Sequence, residues 1–169
     1  MSIISCGCVN GTPSDSVFCM IVSKIISGGQ TGVDRAALDV ALELGIPCGG
    51  WCPKGRRAED GRIPLHYPVE ETTSNVYPQR TEWNVRDSDG TLVLTIGRPE
   101  GGTALTIDLA RRQKKPYLVV KLNDDPNVGA VRTWAHANQI RVLNVAGPRE
   151  SENAGIYSQA VKFLQQLLK

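Results

Sequence analysis

Nothing in this chain is spaced to hold a structural metal. Its five cysteines, Cys6, Cys8, Cys19, Cys48 and Cys52, are odd in number and lack the paired C-x-x-C spacing of zinc sites. The two histidines, His66 and His136, stand isolated in sequence. An excess of one charge is missing as well: 19 Lys and Arg face 17 Asp and Glu, a formal net charge of +2, so nothing points to nucleic acid or a membrane surface. No run approaches the roughly 18 apolar residues that span a bilayer. The standard phosphate fingerprints are absent too, since neither Gly-x-Gly-x-x-Gly nor Gly-Lys-Ser/Thr occurs. These absences leave a single domain, large enough within 169 residues for a core without disulfides or metals. Reduced thiols in a cytoplasmic protein are the plain reading, with Cys48-x-x-x-Cys52 as a redox pair or soft metal ligand the alternative.

What is present is organised around Ile25-Ile26-Ser27-Gly28-Gly29-Gln30-Thr31-Gly32-Val33-Asp34-Arg35. The apolar run from Met20 to Ile26 has the length of one buried strand. Behind the glycines, Val33, Ala36, Ala37, Val40, Ala41 and Leu44 fall on one helical face, and Gly45 stops that helix. A strand, a glycine turn and a helix thus follow with almost no slack. In an open α/β sheet such a turn sits at the carboxyl end of a strand, where ligands bind. The unpaired N–H groups and partial positive charge of the helix start suit an anion there.

The pattern recurs. Thr91–Ile96 reads as a strand buried on both faces, followed by Gly97-Arg98-Pro99-Glu100-Gly101-Gly102-Thr103 and a helix that Thr103 is expected to cap. A third loop, Ala146-Gly147-Pro148-Arg149-Glu150-Ser151, follows a strand over 140–145 and precedes a helix through Leu168. Between them lie a brief strand within 46–51, a basic loop with Lys54, Arg56, Arg57 and Arg62, an exposed connection over 67–74, a helix over 75–87, a strand over 117–122 and a helix through Trp134. Strands alternating with helices predict a doubly wound, mostly parallel sheet, a Rossmann-like three-layer α/β/α fold over residues 20–169. Residues 1–19 are expected to be a disordered extension. The basic loop is either a solvated surface or a source of cations for the anion site.

Four separated blocks carry a resemblance: Ser27–Asp39, Trp51–Arg56, Arg80–Asp89 and Glu100–Thr106. Together they resemble the molybdenum cofactor carrier protein family. The resemblance implies a homo-oligomer, often a tetramer, that is not an enzyme. It would bind the molybdenum cofactor, a pterin dithiolene with a terminal phosphate, and exchange it with molybdoenzymes or cofactor-biosynthesis proteins. On this reading the phosphate rests on Gly101, Gly102 and Thr103, beside Glu100. Gly28, Gly29, Gln30, Thr31 and Gly32 line the opposite wall. Arg35, Lys54, Arg56 and Arg80 neutralise the anion, and Asn84 bonds the pterin edge. Asp34 either holds Arg35 or complements the helix start.

The chain also looks like the lonely-guy phosphoribohydrolases of the same wider fold group. Those enzymes carry an acid three residues after the threonine of Pro-Gly-Gly-x-Gly-Thr. Here that place is taken by Thr106, which cannot ionise, so the obvious acid–base agent at a glycosidic bond is gone. A nucleotide-binding protein or nucleotide hydrolase, with Glu100 or Asp34 as its acid or base, is the alternative.

Overall fold

The computed structural model describes residues 22–169. The expected extension over 1–19, the strand start at Met20, and Cys6, Cys8 and Cys19 lie outside the described residues. In chain order the elements are β1 (Lys24–Ile26), α1 (Val33–Glu43), β2 (Cys48–Gly49), β3 (Trp51–Cys52), β4 (Arg57–Ala58), β5 (Gly61–Arg62), β6 (Glu70–Glu71), α2 (Tyr77–Arg86), β7 (Gly90–Thr95), α3 (Gly101–Arg112), β8 (Tyr117–Lys121), α4 (Val128–Ala137), β9 (Val142–Ala146) and α5 (Ile156–Leu168). Five strands form one sheet in the order β2-β1-β9-β7-β8. Every pairing in it is parallel.

The expected doubly wound sheet is present, and the order of its strands explains the crevice. From β1 the chain steps outward to β2, and from β7 it steps the other way to β8. It then returns to insert β9 between β1 and β7. The carboxyl ends of β1, β9 and β7 are therefore neighbours at the point where the winding reverses, which is where such folds bind ligands. All six residues of β7 are buried, as a strand covered on both faces requires.

Helices α1, α4 and α5 pack together on one face, and α2 lies against α3 on the other. The main core fills the first side: Val33, Val40, Leu92, Leu94, Leu143, Val145 and Leu164 are wholly buried in it. α5 supplies Ile156, Ala160, Phe163, Leu164 and Leu167, the inward face of the periodicity visible in sequence.

The segment 48–71 differs from its sequence reading. Only Cys48–Gly49 pairs with β1. At Gly50 the chain turns away, and β3 pairs with β6, so part of the expected exposed connection is a strand. Between them β4 and β5 form a short antiparallel hairpin. A second small core of Leu38, Cys52, Ile63, Tyr67 and Val69 joins this lobe to α1. Asp39 adds a polar tie, accepting the hydroxyls of Tyr67 at 2.7 Å and Tyr157 at 2.8 Å. Burial and the adjacent carboxylate push the Tyr157 hydroxyl up to about 12.

Arg56 holds the lobe together. Its guanidinium donates to the carbonyls of Ile63 (3.0 Å), Val69 (2.7 Å), Pro64 and Tyr67 (both 2.9 Å). The backbone there is left-handed, with φ of 52°, which turns the side chain inward. Arg56→Met keeps the apolar stem but takes a donor from all four carbonyls and leaves those of Ile63 and Val69 bare, since Pro64 and Tyr67 still accept the N–H groups of Tyr67 and Val69. It should cost about 3 kcal/mol, read as a lower urea midpoint with an unchanged slope.

Candidate functional site

The crevice is assembled from three strand ends and one helix. From the β1–α1 loop comes Gln30, 4% exposed. Its Oε1 accepts the N–H groups of Thr31 (3.0 Å) and Glu59 (2.9 Å), while its Nε2 is buried without a partner. From the first turn of α1 comes Asp34, also buried. From α2 comes Arg80, whose Nη1 lies 2.9 Å from Asp34 Oδ2. The same carboxylate oxygen accepts the Gln30 N–H at 3.3 Å. Burial raises the Asp34 carboxyl above its ordinary value, and Arg80 draws it back down.

Arg80 reaches Asp34 by crossing Gly28. A Cβ at Gly28 would stand 1.6 Å from Arg80 Nη1, so the ion pair needs glycine there. Gly32 has a similar duty. At φ of 76° it lets the β1–α1 loop meet the β9–α5 loop, where a Cβ would lie 2.4 Å from the Pro148 carbonyl oxygen.

Above Asp34 and Arg80 opens a cavity of about 240 Å³. Gln30, Asp34 and Arg80 form its floor, the start of α3 (Gly101, Gly102, Thr103) forms one wall, and Ala146, Gly147 and Arg149 from the end of β9 form another. Tyr77 stands at the rim, with the guanidiniums of Arg149 and Arg80 5.0 Å and 5.8 Å from its ring centre. The floor carries two buried atoms lacking partners, Gln30 Nε2 and Arg80 Nε, and both are donors. The amides of Gly101 and Gly102 and the Arg149 guanidinium add further donors, while the Thr103 and Ala104 N–H groups are spent on the Glu100 carbonyl. An acceptor-rich, anionic group completes such a cavity.

A family model described as the circularly permutated YpsA SLOG family matches residues 25–168. The chain belongs to that family. Among solved structures, the crystal structure of a "Putative molybdenum carrier protein" from Syntrophus aciditrophicus SB is 45% identical to this chain. That match covers 88% of this chain and 96% of the other, with a TM-score of 0.86. No curated protein matches significantly. The Rossmann-like fold and the resemblance drawn from the four sequence blocks agree with both similarities.

In this member of the YpsA SLOG family, the residues expected at the site divide into three groups. Gln30, Arg80, Gly101, Gly102 and Thr103 line the cavity. Gly28 and Asn84 bound a small recess beneath it, and Glu100 faces an adjoining chamber. The Asn84 amide is closed on the main chain of Trp51, at 2.8 Å and 2.9 Å. The others are engaged elsewhere. The Gly29 carbonyl accepts Arg35 Nε at 2.8 Å. Thr31 Oγ1 bonds Glu59, which also receives Ser151. Thr31, Gly32 and Arg35 face a separate depression beside Asp39 and Tyr67. Lys54 is exposed in a turn, and Arg56 is committed to the lobe.

Of the two readings of Asp34, the second stands: it lies in the first turn of α1 and pairs with Arg80, whereas Arg35 pairs with Asp60 at 3.0 Å. The expected cap at Thr103 needs correction. The helix starts at Gly101 without a side-chain cap, so Thr103 lies inside its first turn. Cys48 and Cys52 are free thiols, in keeping with the plain reading of the sequence, and burial raises both above their ordinary values.

Arg149 and Tyr77 were not foreseen. Gly147-Pro148-Arg149 directly after a strand was the available signal for the first; for Tyr77 there was none.

Arg80→Met tests the floor. It strands a buried carboxylate, which should cost roughly 3–5 kcal/mol at neutral pH. Part should return on acidification: the unpaired carboxyl has a folded pKa above its unfolded one, so the native state binds the extra proton and gains stability as pH falls. Urea midpoints at about pH 7.5 and about pH 5 check this, and an equal loss at both would refute it.

Proposed function

We propose that this protein is a cytoplasmic carrier that binds the molybdenum cofactor non-covalently, with the terminal phosphate in the cavity at the start of α3. The observation that carries the reading is a cavity walled by a helix N-terminus, with the Gly101 and Gly102 amides and Arg149 around it and the donor-bearing side chains of Gln30 and Arg80 at its floor. These groups donate hydrogen bonds, and a phosphate accepts them. The 45% identity to a protein named as a molybdenum carrier supports the choice of cofactor. The cavity lining contains no cysteine or histidine, so its residues suit the phosphate and pterin and leave the metal to the dithiolene.

A carrier is favoured over a nucleotide-cleaving enzyme by two side chains. Thr106 stands where the hydrolases carry their acid, and its hydroxyl bonds the Gly102 carbonyl at 2.9 Å. Asp34 is held between Arg80 and the Gln30 amide, beneath the space a substrate would occupy. Neither is placed as a free general acid or base. Delivery to molybdoenzymes or cofactor-biosynthesis proteins, from a homo-oligomer, completes the proposal. The half-buried Trp51 and Trp83, edge to face at 4.8 Å, are aromatic anchors for such contacts.

Anaerobic mixing with isolated cofactor, gel filtration, and assay of molybdenum and pterin per subunit should show near-stoichiometric retention. Gly102→Asp should lower retention by about tenfold or more while leaving the melting temperature unchanged. A Cβ at Gly102 meets nothing within 4 Å, and a carboxylate suits a helix start, so only the anion is displaced. Retention of AMP with release of ribose phosphate would overturn the carrier reading.

A further inference from the structure

The cavity of about 240 Å³ is too small for what it is asked to hold. Pockets for cofactor-sized molecules run to roughly 300–1,000 Å³. A ligand seated by its phosphate on the floor must therefore continue beyond it. The recess beneath it holds only about 10 Å³, but among the described residues a chamber of about 450 Å³ also adjoins the cavity and shares Gly101 and Glu152 with it. The start of α3 is the ridge between the two.

The chambers differ in chemistry. The inner one is lined by Gln30, Arg80, Arg149 and the start of α3, with its one deep carboxylate, Asp34, tied to Arg80. The outer one adds Glu100, Asn153, Arg98 and Ile96, and Glu152 stands on the border of both. The carboxylate of Glu100 has no hydrogen bond or ion pair to any described residue. Glu152 Oε2 takes one main-chain N–H, that of Arg149, at 3.2 Å. Carboxylates repel a bare oxyanion and accept from hydroxyl and ring N–H groups. The outer chamber is therefore matched to the organic part of a phosphate ester.

We propose that the outer chamber is a second subsite, in which Glu100, Glu152 and Asn153 select phosphate esters whose organic group donates hydrogen bonds, and discriminate against free phosphate. This rests on the anion-site reading of the inner cavity. It adds that Glu100, at a position where a hydrolase reading would look for an acid, acts as a specificity residue.

Calorimetry on the full chain with inorganic phosphate, ribose 5-phosphate and AMP tests it. Both esters, or AMP alone if the ring supplies the donors, should bind at least about tenfold tighter than phosphate. Asn153→Trp should fill the outer chamber and bring the ester down to the affinity of phosphate, leaving phosphate itself unchanged. Because that substitution lies in a loop and could disturb it, Glu100→Gln serves as a second variant. Its side chain is exposed, and the change should strengthen phosphate binding while weakening the ester. Equal affinity for all three ligands in the native protein would overturn the subsite while leaving the anion site standing. So would an ester-to-phosphate ratio unmoved by both variants. Failure of all three to bind would remove the anion site itself.

Discussion

The site depends on one ion pair, Asp34 with Arg80, buried across Gly28. It ties together the first turn of α1, the middle of α2 and the loop that leaves β1. Asp34 bears a desolvation cost that Arg80 and the Gln30 amide only partly offset. The arrangement has a consequence for charge. Arg80 is a five-donor cation, and the Asp34 contact takes up Nη1 while Nε stays unpaired. The floor is thus close to neutral as a unit yet still able to donate. Such a floor can hold an anion through directed hydrogen bonds without the strong field of a bare arginine cluster.

The sheet shows why certain expectations were safe. Thr91–Thr95 is apolar or β-branched throughout because β7 is covered on both faces, and a continuous run is the direct trace of that burial. The faces of α1 and α5 were readable for the same reason, since each meets a core on one side only. The lobe over 48–71 was not readable. Its strands are two residues long, below any useful period, and are held by Arg56 through main-chain carbonyls. A buried arginine bonded to carbonyls looks, in sequence, like any other charge in a basic loop.

Half of the site was legible because its geometry is local. A glycine turn between a strand and a helix announces the helix start that Gly101, Gly102 and Thr103 form, and it marked Gln30 as well. What could not be read were pairings across the crevice. Asp34 is adjacent to Arg35 in the chain, but α1 points Arg35 toward Asp60 and Tyr67. Successive residues on a helix diverge by about 100°, so neighbours in sequence rarely share a partner. Arg149 was hidden by the strand order, which only the long-range pairing of β9 reveals.

That order has a temporal side. β9 follows the other strands in the chain but lies between β1 and β7 in the sheet. Until Val142–Ala146 has emerged and inserted, β1 and β7 have no common neighbour, and the crevice has no Arg149 wall. Contacts spanning more than a hundred residues, such as Ser27 Oγ to the Val145 carbonyl at 2.7 Å, close last. A nascent chain halted before β9 could fold parts of both halves yet present no binding site. An anion site at this crevice would therefore exist only on finished molecules, and an incomplete chain would have none.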